Sequence, residues 1–296
     1  MTSSQGGMPV EPGGLRSFIR DVYSRGAVVG EAGAEHPLSP HGLPERDGEA
    51  LRDLAISEGA VHTVETGMRL GLSTLFLAEA ILSSGRVDAR HVAIDPSQEI
   101  WDGAGLRTVR EARLEGLVEF VGHGAELALP RLLSDGDLFD LAFVDGDHRF
   151  EGAFIDLYYL HQLVKPGGLI VVDDVWLPAV RLAVAHFVTN FGLIPEPVAP
   201  AGRAFTAEPR RWRHEVKAPP KARMAVLRRP SVMPKRTWDH FVPFADRETG
   251  RAPALAAAAR AAKPRLSTLL HRAGHAATRP SGEAMPGDAV RQGTTA

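Results

Sequence analysis

The chain has 296 residues, 44% of them apolar, a formal net charge of −2 and no cysteine. That length and apolar content suit one α/β domain of ordinary size with extensions. The near-neutral charge gives no ground for a nucleic-acid partner, and the missing cysteines exclude disulfides and thiolate metal sites.

Met1 to Gly14 is polar and glycine-rich and lacks the regions of a signal peptide. No apolar run approaches the ~20 residues that cross a bilayer. A cytoplasmic protein without a membrane partner is expected. Leu15 to Tyr23 has helical spacing, Gly26 to Pro44 reads as a long loop rich in Gly, Pro and His, and Glu45 to Glu58 reads as a second helix. The pattern then becomes regular. Strands are predicted at Val61–Glu65, His91–Asp95, Val118–Val121, Leu138–Asp145 and Leu169–Asp173. Helices are predicted at Ser73–Leu82 (amphipathic), Gly103–Glu115, Ala125–Leu133 and Glu151–Leu163, with another at Ala179–Phe191. Strands alternating with helices imply a parallel sheet covered on both faces. Lys165-Pro166-Gly167-Gly168 reads as a helix stop and turn. Met224–Arg228 is one last candidate strand, the basic segment Arg210–Lys221 a solvated loop, Pro253–Ala262 a possible helix, and the end from Ala276 disordered. Three regions follow: residues 1–44 as a helix and loop that could form a lid or an oligomer contact, 45–230 as the α/β domain, and 231–296 as a partly disordered extension.

The stretch Glu65-Thr66-Gly67-Met68-Arg69-Leu70-Gly71-Leu72-Ser73 joins the first regular strand to its helix. Its glycines permit a sharp bend and close approach of a ligand, and the helix start offers free N–H groups and a positive dipole end. These suit a carboxylate or phosphate. The fingerprint G-x-G-x-x-G and a Walker lysine are both absent. Glu65 would repel a pyrophosphate but attract an ammonium, so a ligand with an amino-acid end is expected. Thr66 and Ser73 fall in the same turn. Asp95, followed by Pro96, closes the second strand, where an acid can hold both ribose hydroxyls or simply open an Asp-Pro turn. Gly122-His123-Gly124-Ala125 could flank an adenine, with His123 equally suited to a surface loop.

Asp145 and the pair Asp173-Asp174 end the fourth and fifth strands, whose C-termini share one sheet edge. Three carboxylates converging there call for a cation such as Mg²⁺ or Ca²⁺. Adjacent strand residues point to opposite faces, so Asp173 and Asp174 can share an ion only where the chain is already turning. The alternatives are a helix cap for one of the pair, and a cofactor contact alone for Asp145. His148, three residues past Asp145, can take a proton from a hydroxyl or cap the next helix. His161 and His186 read as packing or surface residues, His36 and His41 as weak loop candidates, and Trp176 as pocket wall or core.

From about Glu45 to Leu193 the chain resembles the class I S-adenosylmethionine-dependent methyltransferases, through the Glu65–Gly71 turn, Asp95, Asp145 and Lys165-Pro-Gly-Gly in order. The resemblance implies a Rossmann-like, seven-stranded, mostly parallel sheet with helices on both faces. It implies S-adenosyl-L-methionine as cofactor, its methionine part against Glu65, Gly67 and Gly71 and its ribose on Asp95. The acids resemble those of the metal-dependent O-methyltransferases of sugars and other natural products. There Asp145, Asp173 and Asp174 would hold Mg²⁺ or another divalent cation and His148 would be the base. The acceptor would be a small-molecule hydroxyl, and a homo-oligomer is possible. One rival, a nicotinamide-dependent oxidoreductase, lacks its glycine fingerprint and a Tyr-x-x-x-Lys at Tyr158 or Tyr159. The other, a non-catalytic methyltransferase-like subunit, has no need of three carboxylates at strand ends.

Overall fold

Mostly apolar segments of two to nine residues, the parallel ones separated by helices, assemble into the main sheet. A computed structural model of the chain describes residues 12–40, 42–196 and 223–242, all within a compact unit of residues 1–248; a second unit, residues 249–296, lies outside that description. In chain order the elements are α1 (Pro12–Arg25), β1 (Ala27–Val29), β2 (Glu35–Pro37), α2 (Glu45–Ser57), β3 (His62–Thr66), α3 (Leu72–Leu82), β4 (Arg90–Ile94) and α4 (Ala104–Glu111). There follow β5 (Val118–Val121), α5 (Ala125–Asp135), β6 (Phe139–Val144), α6 (Phe150–Leu163), β7 (Val164–Val172), α7 (Pro178–His186), a π-helical turn (Phe187–Phe191), β8 (Ile194–Pro195) and β9 (Ala225–Arg228).

The seven-stranded sheet has the order β5-β4-β3-β6-β7-β9-β8. Pairings from β5 through β7 are parallel, and β9 pairs antiparallel with both β7 and β8. Strand alternation feeds two cores. On β6 and β7, Leu141, Phe143, Leu169 and Val171 enter the core shared with Leu15, Leu51 and Phe76, while Ala142, Val144, Ile170 and Val172 enter the core shared with Leu157, Leu160 and Phe187. The N-terminal helix thus packs into the same core as the sheet. Among the described residues no helix is long and apolar enough to cross a membrane.

The sheet confirms the seven-stranded, mostly parallel architecture, with three local corrections. The helix Ser73–Leu82 is not amphipathic: Leu72 through Ile81 are all buried, because α1 and α2 cover the face that a two-layer packing would expose. Gly26–Pro44 is not one loop but carries the antiparallel hairpin β1–β2. Asp102 fastens that hairpin, accepting hydrogen bonds from Glu31 N (2.6 Å, to its carbonyl) and Ala32 N (2.9 Å, to its carboxylate). Lys165–Gly168 lies inside β7, where the register shifts between Phe139 and Leu141 and Gly167 takes φ +86°. His41, Arg210–Lys221, Pro253–Ala262 and the tail from Ala276 lie outside the described residues.

Candidate active site

β3 and β6 are neighbours, yet the chain leaves β3 towards β4 on its other side, so a crevice opens at their C-terminal ends. Each acid following a strand is tied by its own N–H to the next strand. Asp95 donates to Val121 O (3.1 Å), Asp145 to Thr66 O (2.9 Å) and Asp173 to Val144 O (2.9 Å). The turns after β3 and β6 nearly touch. Gly67 has φ +91°, and a Cβ there would stand 2.0 Å from the Asp145 carbonyl oxygen, so only glycine fits.

Two cavities share this edge. The first, of about 470 Å³, is lined by Thr66, Gly67, Asp95, Pro96, Gly124 and Ala125, and also by Ser97, Gly146 and Asp156. Asp95 accepts from Arg69 N (2.5 Å) and from Ser97 N and Oγ (2.6 and 2.5 Å), which fixes its carboxylate at the rim. Asp156 is buried and accepts from Thr66 Oγ1 (2.8 Å). Burial pushes its carboxyl up to about 7, against the hydrogen bond from Thr66.

The second cavity, of about 530 Å³, shares Gly67, Asp95, Ser97 and Gly146 with the first and adds Arg69, Trp101, Asp145, His148, Asp174, Trp176 and Arg223. Asp145, His148 and Asp174 each offer a ligand atom within 4.8 Å of the others. His148 Nε2 lies 3.2 Å from Asp145 Oδ1 and 3.4 Å from Asp174 Oδ2. The hydrogen bond to Asp145 holds the imidazole above its ordinary pKa, and burial raises that of Asp145. Asp174 takes a left-handed φ of +51°, and the Trp176 indole donates to its Oδ1 (2.8 Å). The Arg69 guanidinium lies over the Trp101 ring, 4.1 Å from its centroid.

Five expected site residues line neither cavity. Glu65 is fully buried within the sheet. It accepts from Thr74 Oγ1 and lies 3.2 Å from His91 Nε2, so it does not face a ligand ammonium. Gly71 shapes the turn with φ +80° and packs on Gly105, Ser73 is buried in the first turn of α3, and His123 is exposed. Asp173 is separated from its neighbour Asp174. Arg223 grips it with Nε 2.9 Å from each carboxylate oxygen and Nη2 2.8 Å from Oδ2. Burial opposes the Arg223 charge, but the bonds and charge of Asp173 outweigh it and hold the guanidinium firmly protonated.

Sequence reasoning missed Arg69, Trp101, Asp156 and Arg223. Asp156 left a trace, an acid among the buried positions Ala153, Leu157 and Leu160 of α6. Arg223 left none.

The sheet order, the glycine turn and the acids at the strand ends agree with the Rossmann-like methyltransferase fold that the resemblance implies. Residues 64–175 match the family described as "Methyltransferase domain". The chain is 34% identical over 153 residues to Tricin synthase 2 of Oryza sativa subsp. japonica, covering 50% of this chain and 50% of that protein. It is 32% identical over 148 residues to Caffeoyl-CoA O-methyltransferase 2 of Populus trichocarpa, covering 49% and 57%. It thus spans about half the length of these relatives. The cofactor-bound protein Rv0187 from MTB shares the fold, with TM-score 0.51 and 20% identity over 77% of this chain and 93% of that one.

Proposed function

We propose that the protein is an S-adenosylmethionine-dependent O-methyltransferase, served by a divalent cation, that methylates a hydroxyl of a sugar or another small natural-product intermediate in the cytoplasm. One observation carries this reading: the cavity bordered by the glycine turn and Asp95 shares a wall with the cavity holding Asp145, His148 and Asp174. A donor bound in the first presents its methyl group towards an acceptor bound in the second. Methyl transfer is an in-line displacement, so this fixed adjacency supplies orientation. Asp95 retains about one lone-pair site, on Oδ2, for a ribose hydroxyl beyond the three hydrogen bonds it already accepts. Gly67 keeps the floor open for the sulfonium end. The name of the Populus relative supports transfer to oxygen.

The donor set fits a divalent cation: carboxylate oxygens from Asp145 and Asp174, with an imidazole nitrogen beside both. Such a cation, when bound, lowers the pKa of an acceptor hydroxyl as it does that of water. The two carboxylates face the cavity and orient what binds there, while Trp101 and Trp176 give it apolar walls. The test is transfer from methyl-labelled S-adenosylmethionine to a panel of catechols, sugars and polyols, with and without EDTA. Labelled product that falls at least ~100-fold in EDTA is expected. Cofactor binding without any labelled product would favour a binding subunit instead.

A further inference from the structure

We infer that the strap of residues 229–242 is a face by which the protein attaches peripherally to an anionic lipid surface, with Trp238 and Phe241 entering the headgroup layer and Lys235 and Arg236 meeting its phosphates. Such attachment is independent of the methyltransferase reading and departs from the expectation of no membrane partner.

The strap follows β9 without regular structure, yet it is pinned in place. Met233 packs against the core that contains Phe187. Pro234 sits so close to Gly192 that a Cβ there would stand 2.6 Å from its Cγ. The Arg236 guanidinium lies over the Phe191 ring, 3.6 Å from its centroid. Asn190 exchanges two hydrogen bonds with Val242, donating to its carbonyl (3.0 Å) and accepting from its N–H (2.6 Å). With these positions fixed, the strap's large apolar side chains face outward: Val232 is 83% exposed, Trp238 98% and Phe241 60%. Apolar groups clustered in solvent on a fastened segment mark a surface that another body covers.

Charge selects the occupant. Residues 228–282 carry eleven Lys and Arg against three Asp and Glu, whereas the remainder of the chain nets −10. No acid stands between Glu248 and Glu283, a stretch that holds six of those cations together with Leu255, Leu266, Leu269 and Leu270. A near-neutral chain thus sorts its positive charge into one segment, as proteins that meet an anionic surface do. Rings and aliphatic groups interleaved with Lys and Arg settle at a lipid headgroup layer, the apolar groups in the acyl boundary and the cations against phosphate. A second copy of the chain would bring like charge against like across this face. Val232 and Val242 give a nucleic acid nothing to stack on.

Flotation of the full chain with vesicles of about one-third phosphatidylglycerol in phosphatidylcholine, and with pure phosphatidylcholine, tests this. Wild type should partition at least ~10-fold more strongly onto the anionic vesicles, release from them in about 1 M salt, and show tryptophan quenching by brominated lipid. Trp238→Ser combined with Phe241→Ser should lose at least ~10-fold in partitioning and most of the quenching, while keeping the wild-type urea midpoint. Equal partitioning onto both vesicles, no binding to either, or undiminished binding by the double variant would overturn the assignment. So would a wild-type dimer that the double variant abolishes, or a tighter hold on a single-stranded oligonucleotide than on the anionic vesicles. If the double variant fails to fold, quenching and salt release in wild type decide alone.

Discussion

Gly67 is the residue on which the shape of the crevice turns. Its φ of +91° and its approach to the Asp145 carbonyl leave no room for a side chain. Gly67→Ala is therefore expected to cost about 1–3 kcal/mol of stability. Because the strain falls on the wall shared by both cavities, it should also weaken S-adenosylhomocysteine binding at least ~10-fold, about 1.4 kcal/mol. Chemical denaturation and calorimetry on one sample check the two effects. Loss of stability with unchanged affinity would remove Gly67 from the cofactor site.

At the scale of elements, α1, α2 and α3 are joined through Glu79. Its side chain is 2% exposed and contacts Arg16 (2.6 Å) and Arg52 (3.4 Å). Removing the acid leaves two guanidinium groups without their shared partner, one of them largely buried. Glu79→Ala should destabilise by roughly 3–5 kcal/mol, and Arg16→Ala, which removes a half-exposed side chain and leaves Glu79 paired with Arg52, by at most ~1 kcal/mol, both read from urea midpoints. A second element-level case is His161 on α6, buried against Phe187 and Phe191. Burial lowers its pKa to about 4. The unfolded chain then binds the extra proton between pH 6.5 and 4, so this contribution is complete above pH 6.5 and lost as pH falls through 4. Wild type should lose up to roughly 2–3 kcal/mol from this group between pH 7.5 and 4.5 relative to His161→Phe. Parallel pH dependences for the two proteins would contradict it. Asp156 works in the opposite direction: its carboxyl is raised to about 7, so its contribution is present at low pH and fades as pH rises through 7.

Across the whole molecule, what was legible in the sequence is what alternation and strand ends encode. The five parallel strands and the acids Asp95, Asp145, Asp173 and Asp174 stand where apolar runs stop, and the structure puts each of these acids just beyond a strand's last residue. Direction was not legible. Glu65 belongs to the glycine motif, yet it precedes the final residue of β3, and pleating turns it to the face of Thr63 and His91. Nor was partnership. The residue that occupies Asp173 lies 50 positions later, beside a strand whose antiparallel register only the assembled sheet fixes. The burial of α3 likewise depends on helices that precede it in the chain. The central claim is that the crevice at β3, β4 and β6 receives an adenosyl cofactor. Calorimetric titration of S-adenosylhomocysteine into wild type and Asp95→Ala tests it most directly. The account predicts one site per chain and affinity at least ~10-fold weaker in the variant. No heat of binding in wild type at millimolar ligand, or equal affinities in the two proteins, would contradict it.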